Sequence, residues 1–399
     1  MLLNNKRILI IKPSSLGDIV HTLPVAHAIK RCFPNCFIGW IAQQSFAPLL
    51  QADDSIDAVY PIHIPSTSDP QAGRWAFSKA FKVTISTLLK LHREFQHKPY
   101  DLILDLHASF RSGLLGRTNP GGQRVGFGQA KELNTFFQKH LIDIPETTEH
   151  AQDKNLLFCT YLGIKTTDED FHLCTGEEDR QALQQFLHPL LSAHTSEAAK
   201  GAEPTETVEP SPLIYANPAA RWQSKFWPIE YWATLADKLQ KQGLLVVFGG
   251  SPQDTEYITS IARLMKTDPI IAAGRLTLPQ SAALIQHASL YIGLDSGPMH
   301  IAALARTPVV ALFGPTHPSR VGPYNPGGSK HQIKHRIIRT EELDCLECRK
   351  RSCSHCSCMQ RISPEMVYEA AISLLHLGLT SRRARRVYEE QQNSRTNSH

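Results

Sequence analysis

The sequence predicts an α/β protein with two domains, each built on an open parallel sheet. Its 399 residues exceed what one ordinary hydrophobic core organises. In both halves, short apolar runs alternate with longer helix-like segments, which is the pattern of parallel βαβ units. Ligands bind at the carboxyl ends of such strands, so we expect these ends in the two sheets to line a cleft.

Changes in composition predict the domain boundaries. The first series, residues 1–191, contains the apolar runs RILIIK, FIGWIA and DLILDL. Residues 192–212 are poor in large apolar side chains and rich in Glu, Thr and Pro, which predicts a flexible linker or insert. The second series covers 213–362. A C-terminal helix is expected over 363–379, and a basic disordered tail over 380–399.

Composition indicates a globular cytoplasmic protein. With 42% apolar and 20% charged residues, the chain lacks any run of about eighteen apolar residues that would predict a transmembrane helix. The N-terminus lacks the pattern of a secretory signal. Basic residues gather between 74 and 98 and in the segment SRRARR, which indicates an anionic surface or substrate. The alternative for these charges is ordinary solvated surface.

Small residues follow the predicted strand LYIGL of the second half, where a helix begins. Asp295, Ser296 and Gly297 stand where backbone N–H groups and the positive end of a helix dipole suit a phosphate. A routine helix start is the alternative, because Ser-Gly followed by Pro is common there. The turn LFGPTHP ends the next strand, and we expect its Thr316 to line the same pocket.

Two further turns of the second half offer charged groups to a ligand. Asp254 closely follows the glycine turn VVFGG, a position from which a carboxylate holds ribose hydroxyls in nucleotide-binding α/β folds. Lys225 lies near Arg221 at a helix start, where an ammonium neutralises a diphosphate. Neither Gly-x-Gly-x-x-Gly nor a Walker sequence is present, which weakens dinucleotide and kinase hypotheses.

Four motifs in order, KPSSLGD, SKFWP, GLDSGPMHIAAL and LFGPT, resemble those of the ADP-heptose:lipopolysaccharide heptosyltransferases of glycosyltransferase family nine. The resemblance covers nearly the whole chain outside 192–212 and the tail. It implies the GT-B fold, in which two Rossmann-like domains face a central cleft. It also implies an acceptor bound by the N-terminal domain and ADP-L-glycero-D-manno-heptose bound by the C-terminal domain.

The resemblance implies roles for single residues. Asp18 is similar in position to the general base that deprotonates the acceptor hydroxyl, whereas a helix cap is the alternative for this residue. The implied donor contacts are Lys225, Asp254, Asp295, Ser296 and Gly297. Thr316, in the turn LFGPTHP, is the further donor candidate. One base without a partnering nucleophile implies direct displacement, and therefore inversion at the anomeric carbon.

The acceptor is expected on the first domain. This half resembles the type I enzymes most, which add the first heptose to Kdo on lipid A; another core acceptor or a protein hydroxyl is the alternative. Small residues of the first motif and cations suited to an anionic glycolipid are the candidate contacts: Ser14, Ser15, Gly17, Arg74, Lys79, Lys82, Arg111 and Lys131. Where the family shows Asp-x-Gln-Gly, this chain reads DLHAS.

We expect catalysis at the cytoplasmic face of the inner membrane, with peripheral contact through basic and apolar surface. No cofactor is expected for catalysis, because successive acids such as Asp168–Asp170 are usually solvated turns rather than metal sites. No nucleic-acid partner is expected. A non-catalytic sugar-nucleotide sensor or scaffold is the rival from another functional class.

Five of the nine cysteines lie within the segment 345–358. Their spacing supplies enough thiolates for a tetrahedral structural zinc site. The candidate ligands are Cys345, Cys348, Cys353 and Cys358. Plain reduced thiols are the equally supported alternative, and a disulfide framework is disfavoured in a large cytosolic chain.

Overall fold

The structure, a computed structural model, describes residues 3–63, 76–130, 132–198, 211–326 and 335–376, without the side chains of 76–80 and 191–198. The chain forms two compact units, Met1–Gly176 and Glu177–His399. Each unit contains one six-stranded sheet whose paired strands are all parallel. The predicted α/β class with two parallel sheets is confirmed.

The first unit is a doubly wound sheet. Its strands are β1 (Arg7–Ile11), β2 (Phe37–Gln43), β3 (Ala58–Ile62), β4 (Leu102–Asp105), β5 (Gln123–Phe127) and β6 (His140–Ile142). Its helices are α1 (Leu16–Val20), α2 (Leu23–Cys32), α3 (Ala47–Gln51), α4 (Ala76–His97), α5 (Phe110–Arg117) and α6 (Ala151–Tyr161). The order β3-β2-β1-β4-β5-β6 places the topological switch point between β1 and β4.

The second unit repeats this winding. Its strands are β7 (Leu213–Asn217), β8 (Leu245–Phe248), β9 (Ile270–Ile271), β10 (Leu290–Leu294), β11 (Val309–Leu312) and β12 (Arg336–Ile338). Its helices are α7 (Glu177–Ala198), α8 (Ile229–Lys241), α9 (Thr255–Ala262), α10 (Leu278–His287), α11 (Gly297–Leu304), α12 (Pro318–Val321), α13 (Ser357–Gln360) and α14 over residues 364–376. The order β12-β11-β10-β7-β8-β9 puts the switch point between β7 and β10.

Burial on both faces explains the continuous apolar strands. Ile8 to Ile11 of β1 and Leu290 to Leu294 of β10 are buried without interruption, as expected where helices cover both sides of a parallel sheet. In the described part of the chain, no helix combines the length and apolar character needed to cross a membrane.

Helix α7 opens the second unit and packs on α10. The Arg275 guanidinium lies 4.9 Å from the centre of the Phe186 ring of α7. The predicted domain end at 191 falls within this helix, and residues 192–198 of the predicted linker, which contain neither Gly nor Pro, continue the helix beyond Pro189. Residues 199–210 and the predicted tail 380–399 lie outside the described residues.

Candidate active-site residues in the two units

Asp18 lies on the first turn of α1, directly after β1. Its Oδ2 accepts hydrogen bonds from the backbone N–H and the hydroxyl of Ser15, at 2.9 and 2.7 Å. This is the hydrogen bonding of a helix cap. Its Oδ1 lies 3.7 Å from the Nζ of Lys12, and 45% of the side chain is exposed. Asp18 is therefore a cap through one oxygen, while the other oxygen remains available to a ligand.

The charge state of Asp18 suits a base. Burial of the carboxylate raises its pKa, but the Lys12 ammonium, the Ser15 hydrogen bonds and His107 outweigh that effect. The pKa of Asp18 consequently lies below its ordinary value. The carboxylate is ionised at neutral pH, which is the state that accepts a proton.

Lys12 and His107 complete this group, and neither is among the site residues predicted from the motifs. Lys12 donates from Nζ to the carbonyl of Leu106 at 2.7 Å, which fixes the ammonium between the ends of β1 and β4. Burial and then Lys12 lower the pKa of His107, so its imidazole is neutral at neutral pH. The signal lay in the topology, because β1 and β4 pair in parallel and end together at the switch point.

Asp105 ends β4 and organises the loop DLHAS. Its carboxylate is 1% exposed and accepts five hydrogen bonds, of 2.7 to 3.1 Å, from His107 N, Ala108 N, Ser112 Oγ, Asn134 Nδ2 and Gln138 Nε2. Such a set of donors offsets the cost of burying the charge. Asp105 therefore shapes the loop beside Asp18 and has no oxygen free to react.

The predicted acceptor contacts are only partly described. Ser14, half-buried, and Gly17, buried, belong to the same turn as Asp18, and Ser15 is exposed there. Arg111 is half-buried on the first turn of α5, after β4. Lys82 is exposed on α4. The remaining candidates lie outside the described residues or side chains: Arg74, Lys79 and Lys131.

Three predicted donor residues come together at the switch point of the second unit. Lys225 Nζ lies 2.6 Å from Asp295 Oδ2 and donates to the Asp295 carbonyl at 3.0 Å. Thr316 donates from Oγ1 to the same carboxylate oxygen at 2.6 Å. Asp295 and Thr316 are buried, and Lys225 lies 4.7 Å from the centre of the Trp222 ring. The nearby Arg221 is exposed.

Ser296 and Gly297 form the start of α11 beside this cluster. Asn217, the last residue of β7, donates from Nδ2 to Ser296 Oγ at 3.3 Å. The first backbone N–H groups of a helix have no partner within it, and they carry the positive end of the helix dipole. An anion is favoured at this position, next to the Lys225 ammonium.

Asp254 occupies a turn like that of Asp18. It precedes α9, which follows β8, and its Oδ2 accepts from the backbone N–H and hydroxyl of Ser251 at 2.8 and 2.6 Å. The Ser-x-x-Asp turn thus occurs in both units after a parallel strand. In each turn the second carboxylate oxygen is left for other partners.

The cysteine segment does not assemble the predicted zinc ligands. Cys345 and Cys348 are exposed, whereas Cys353 and Cys358 are half-buried. Within the described ranges, the single group of three metal-binding side chains whose ligand atoms lie within 4.8 Å of one another is His27, His172 and Cys174.

The chemistry of that group does not favour a metal. His27 donates from Nδ1 to the carbonyl of Asp170 at 2.7 Å and from Nε2 to the carboxylate of Asp53 at 2.8 Å. Both ring nitrogens therefore carry protons, and neither keeps a lone pair for a cation. The Asp170 carboxylate is itself paired with Arg31 at 2.7 Å.

Comparison with known proteins gives the family. The family model "Glycosyltransferase family 9 (heptosyltransferase)" matches residues 88–357. Lipopolysaccharide heptosyltransferase 3 of Escherichia coli K12 is 30% identical over 307 residues, which cover 75% of this chain and 80% of that protein. Lipopolysaccharide heptosyltransferase 1 of Pseudomonas aeruginosa is 23% identical, with 88% of each chain covered.

Solved structures show the same fold. The glycosyl transferase family 9 protein from Veillonella parvula superposes with a TM-score of 0.72 at 26% identity, covering 94% of this chain and 98% of that one. Escherichia coli ADP-heptose lps heptosyltransferase II gives a TM-score of 0.68 at 21% identity, covering 93% and 99%. The predicted GT-B fold is thereby confirmed. The chain belongs to glycosyltransferase family 9, the heptosyltransferases, as its four motifs predicted.

Proposed function

We propose that this chain transfers L-glycero-D-manno-heptose from ADP-heptose to Kdo of the lipid A inner core, with inversion at the anomeric carbon. The observation that carries the proposal is the ionised, half-exposed carboxylate of Asp18 in a member of this family. Glycosyl transfer from a sugar nucleotide requires a base at the acceptor hydroxyl, and this carboxylate supplies one.

The second unit holds the donor in this proposal. The Lys225 ammonium has three N–H groups, of which two bind Asp295, so the third is free for a diphosphate oxygen. The N–H groups at the start of α11 stabilise the negative charge that develops on the leaving ADP. Asp254 offers its second oxygen to the ribose hydroxyls. A solved Escherichia coli heptosyltransferase, WaaC, contains ADP, which supports a nucleotide donor of this kind.

The first unit acts on the acceptor. Oδ1 of Asp18 takes the proton of the attacking hydroxyl while Oδ2 stays bonded to Ser15. Asp105, the buried carboxylate on the neighbouring strand, has its oxygens occupied by five donors and cannot form a covalent sugar intermediate. Of the two described carboxylates at the ends of β1 and β4, Asp18 alone has an oxygen left for an acceptor, which supports direct displacement and therefore inversion of the anomeric centre.

Radiolabel transfer from ADP-heptose to Kdo-lipid A tests the proposal. We expect transfer to this acceptor, and nuclear magnetic resonance of the product should show an inverted anomeric configuration. A chain that binds ADP-heptose and transfers sugar to no core acceptor would support the sensor or scaffold hypothesis instead.

A second acceptor is favoured by one comparison. The relative with 30% identity is a lipopolysaccharide heptosyltransferase 3. An already heptosylated core is therefore the alternative acceptor for this chain. The same assay separates the two, because preferential labelling of heptosylated core over Kdo-lipid A would replace the type I assignment.

We also propose peripheral action at the cytoplasmic face of the inner membrane, without a catalytic cofactor. Transfer should persist in excess chelator, and its loss would contradict this part of the proposal. Elemental analysis tests structural zinc at Cys345, Cys348, Cys353 and Cys358. One zinc per chain would require these thiols to move closer together than the structure places them.

A further inference from the structure

Helix α4 carries a row of large apolar side chains on its outer face. Phe81, Ile85 and Leu89 are 66%, 41% and 52% exposed. Their spacing of four residues places them on one side of the helix. Leu91 and Phe95, which lie roughly 100° around the helix from this row, are buried in the core of the first unit. Because one side of α4 already packs on this core, the exposed row needs a different explanation, and such patches mark interaction surfaces.

Exposed basic side chains lie near this apolar row. Exposed basic side chains follow along the same helix and its end, at Lys82, Lys90, Arg93 and Lys98. Glu94 is the single acid between residues 81 and 98. Among the residues that the structure describes, none of the four cations forms a salt bridge. We call the three apolar and four basic side chains the α4 face.

A groove extends the α4 face. It has a volume of about 890 Å³, and its lining includes the apolar Ile85 and Leu89, the cations Arg7, Lys90, Arg93 and Lys98, and the one acid Glu94. Apolar and cationic groups therefore meet in one concave surface. This combination matches a phospholipid headgroup region, where phosphates lie above acyl chains.

Topology places one end of the α4 face at the catalytic edge of the first unit. Helix α4 connects β3 to β4, which belong to one parallel sheet, so it runs antiparallel to the strands. Its N-terminal end therefore lies at the edge where β1 ends and Asp18 follows. Phe81 is the member of the row nearest to that edge.

We propose that the α4 face docks on an anionic phospholipid bilayer, with Phe81, Ile85 and Leu89 at headgroup level and the four cations against lipid phosphates. The inference deepens the proposed function and rests on it, since an acceptor anchored in a membrane requires the enzyme to approach the bilayer. An apolar row alone would fit a protein partner. Four cations against one acid complement an anionic surface, and this charge balance selects lipid.

Vesicle sedimentation tests the proposal. Full-length protein is mixed with vesicles of phosphatidylethanolamine alone or with about one quarter phosphatidylglycerol. We expect binding to the anionic vesicles that weakens with added salt, because screening reduces attraction to the charged surface. The charge variant K82Q/K90Q/R93Q should lose about fivefold in affinity for each cation removed, and the apolar variant F81S/L89S should also bind more weakly.

Matched controls lie on the second unit. Leu264 is 46% exposed, and L264S controls for loss of an exposed apolar side chain. The variant K241Q/R263Q/K266Q removes three exposed cations there. Both controls should bind anionic vesicles as the unchanged protein does. The proposal is overturned by equal losses in these controls, by salt-independent binding, or by equal binding to both kinds of vesicle.

Two measurements separate this proposal from others. Transfer to a de-acylated, water-soluble acceptor should be unchanged in F81S/L89S, whereas its binding to anionic vesicles should fall. Because vesicle binding needs no substrate, it tests the membrane proposal even if the chain transfers no heptose. Sedimentation velocity without lipid should show an oligomeric state that does not change with protein concentration. A dimer that F81S/L89S abolishes would identify a second copy of the chain as the occupant and overturn the lipid assignment.

Discussion

At the scale of single residues, Asp18 divides two tasks between its oxygens. Oδ2 caps α1 through Ser15, and Oδ1 is the oxygen available to an acceptor. Cap and base are the two alternatives that the sequence offers for this residue. The structure shows that the cap is present, and its geometry leaves room for both roles.

Substitution of Asp18 separates these tasks. Asp18→Asn keeps an oxygen for the cap but removes the base, so we expect kcat to fall by about 10² to 10⁴ with ADP-heptose affinity unchanged by calorimetry. Asp18→Ala should lose the same activity and, in addition, about 0.5–2 kcal/mol of unfolding free energy, because the cap is lost. Weakened donor binding in Asp18→Asn would contradict its assignment to the acceptor.

The contact between Lys12 and Asp18 predicts how kcat/KM varies with pH. The pKa of Asp18 lies below its ordinary value of 3.8, so kcat/KM should fall from loss of the base only as the pH drops below about 4. Lys12→Met removes the ammonium that helps to depress this pKa, and the acidic limb should move to higher pH. An unmoved limb in the pH profile of Lys12→Met would show that another group governs it.

Substitution of Lys225 tests its proposed role in binding the donor ADP-heptose. Lys225→Met should weaken ADP-heptose binding about 30-fold or more, measured by calorimetry, because the contact proposed between its ammonium and the diphosphate is lost. The same change strands the buried Asp295 carboxylate and should lower stability. The double variant K225M/D295N should recover stability and leave binding weak, whereas Lys266→Met is a surface control with normal affinity.

At the scale of elements, the position directly after β8 has room only for glycine, which is Gly249. A Cβ atom on Gly249 would lie 1.9 Å from the hydroxyl of Tyr215, which also bonds Ser281 at 2.7 Å. Gly249→Ala should cost about 1–3 kcal/mol of unfolding free energy, since the tyrosine must move. Gly121→Ala meets no atom within 4 Å and should be close to neutral in the same urea titration.

The elements also show what the sequence could predict. Strands of continuous apolar residues and the motifs at their ends are local signals, and from them Asp18, Lys225, Asp295 and Thr316 could be predicted to lie after strands; their roles remain predictions. Lys12 and His107 meet only because β1 and β4 pair across about ninety residues of chain. That pairing depends on strand order, which local patterns do not encode.

Helix α7 illustrates a second limit. Its last residues have the polar composition of a linker, but lack helix breakers and continue the helix. The helix belongs to the second unit because it packs on α10, a contact between segments that are distant in sequence. The amino-acid composition of a segment indicates whether it can be buried. It does not show which distant helix the segment packs on, and therefore to which unit it belongs.

At the scale of the whole molecule, His27 ties distant segments of the first unit together. It lies on α2 and binds Asp53, which follows α3, and the backbone of Asp170. Burial lowers the pKa of His27, but Asp53 and the Asp170 carbonyl outweigh it and raise the pKa above 6.5. Burial raises the pKa of Asp53, but His27 outweighs it and lowers this pKa below 3.8.

This pair predicts how stability varies with pH. The contribution of His27 is complete below pH 6.5 and is lost as the pH rises through its raised pKa. Against a His27→Gln variant, the native chain should therefore be most stabilised between about pH 4 and 6.5, and the difference in Tm by calorimetry should shrink at pH 9. A difference that grows with pH would show that His27 is neutral in the folded chain.

The contact between Lys225 and Asp295 has a consequence for inhibitor chemistry. Asp295 already balances the charge of the ammonium, which retains a single unused N–H. Under the donor role proposed for Lys225, a neutral acceptor such as a sulfonyl oxygen is expected to satisfy that N–H without a pyrophosphate. Compounds designed in this way would lack the negative charge of a pyrophosphate, and burying them beside Asp295 would not add a second anion to this cluster.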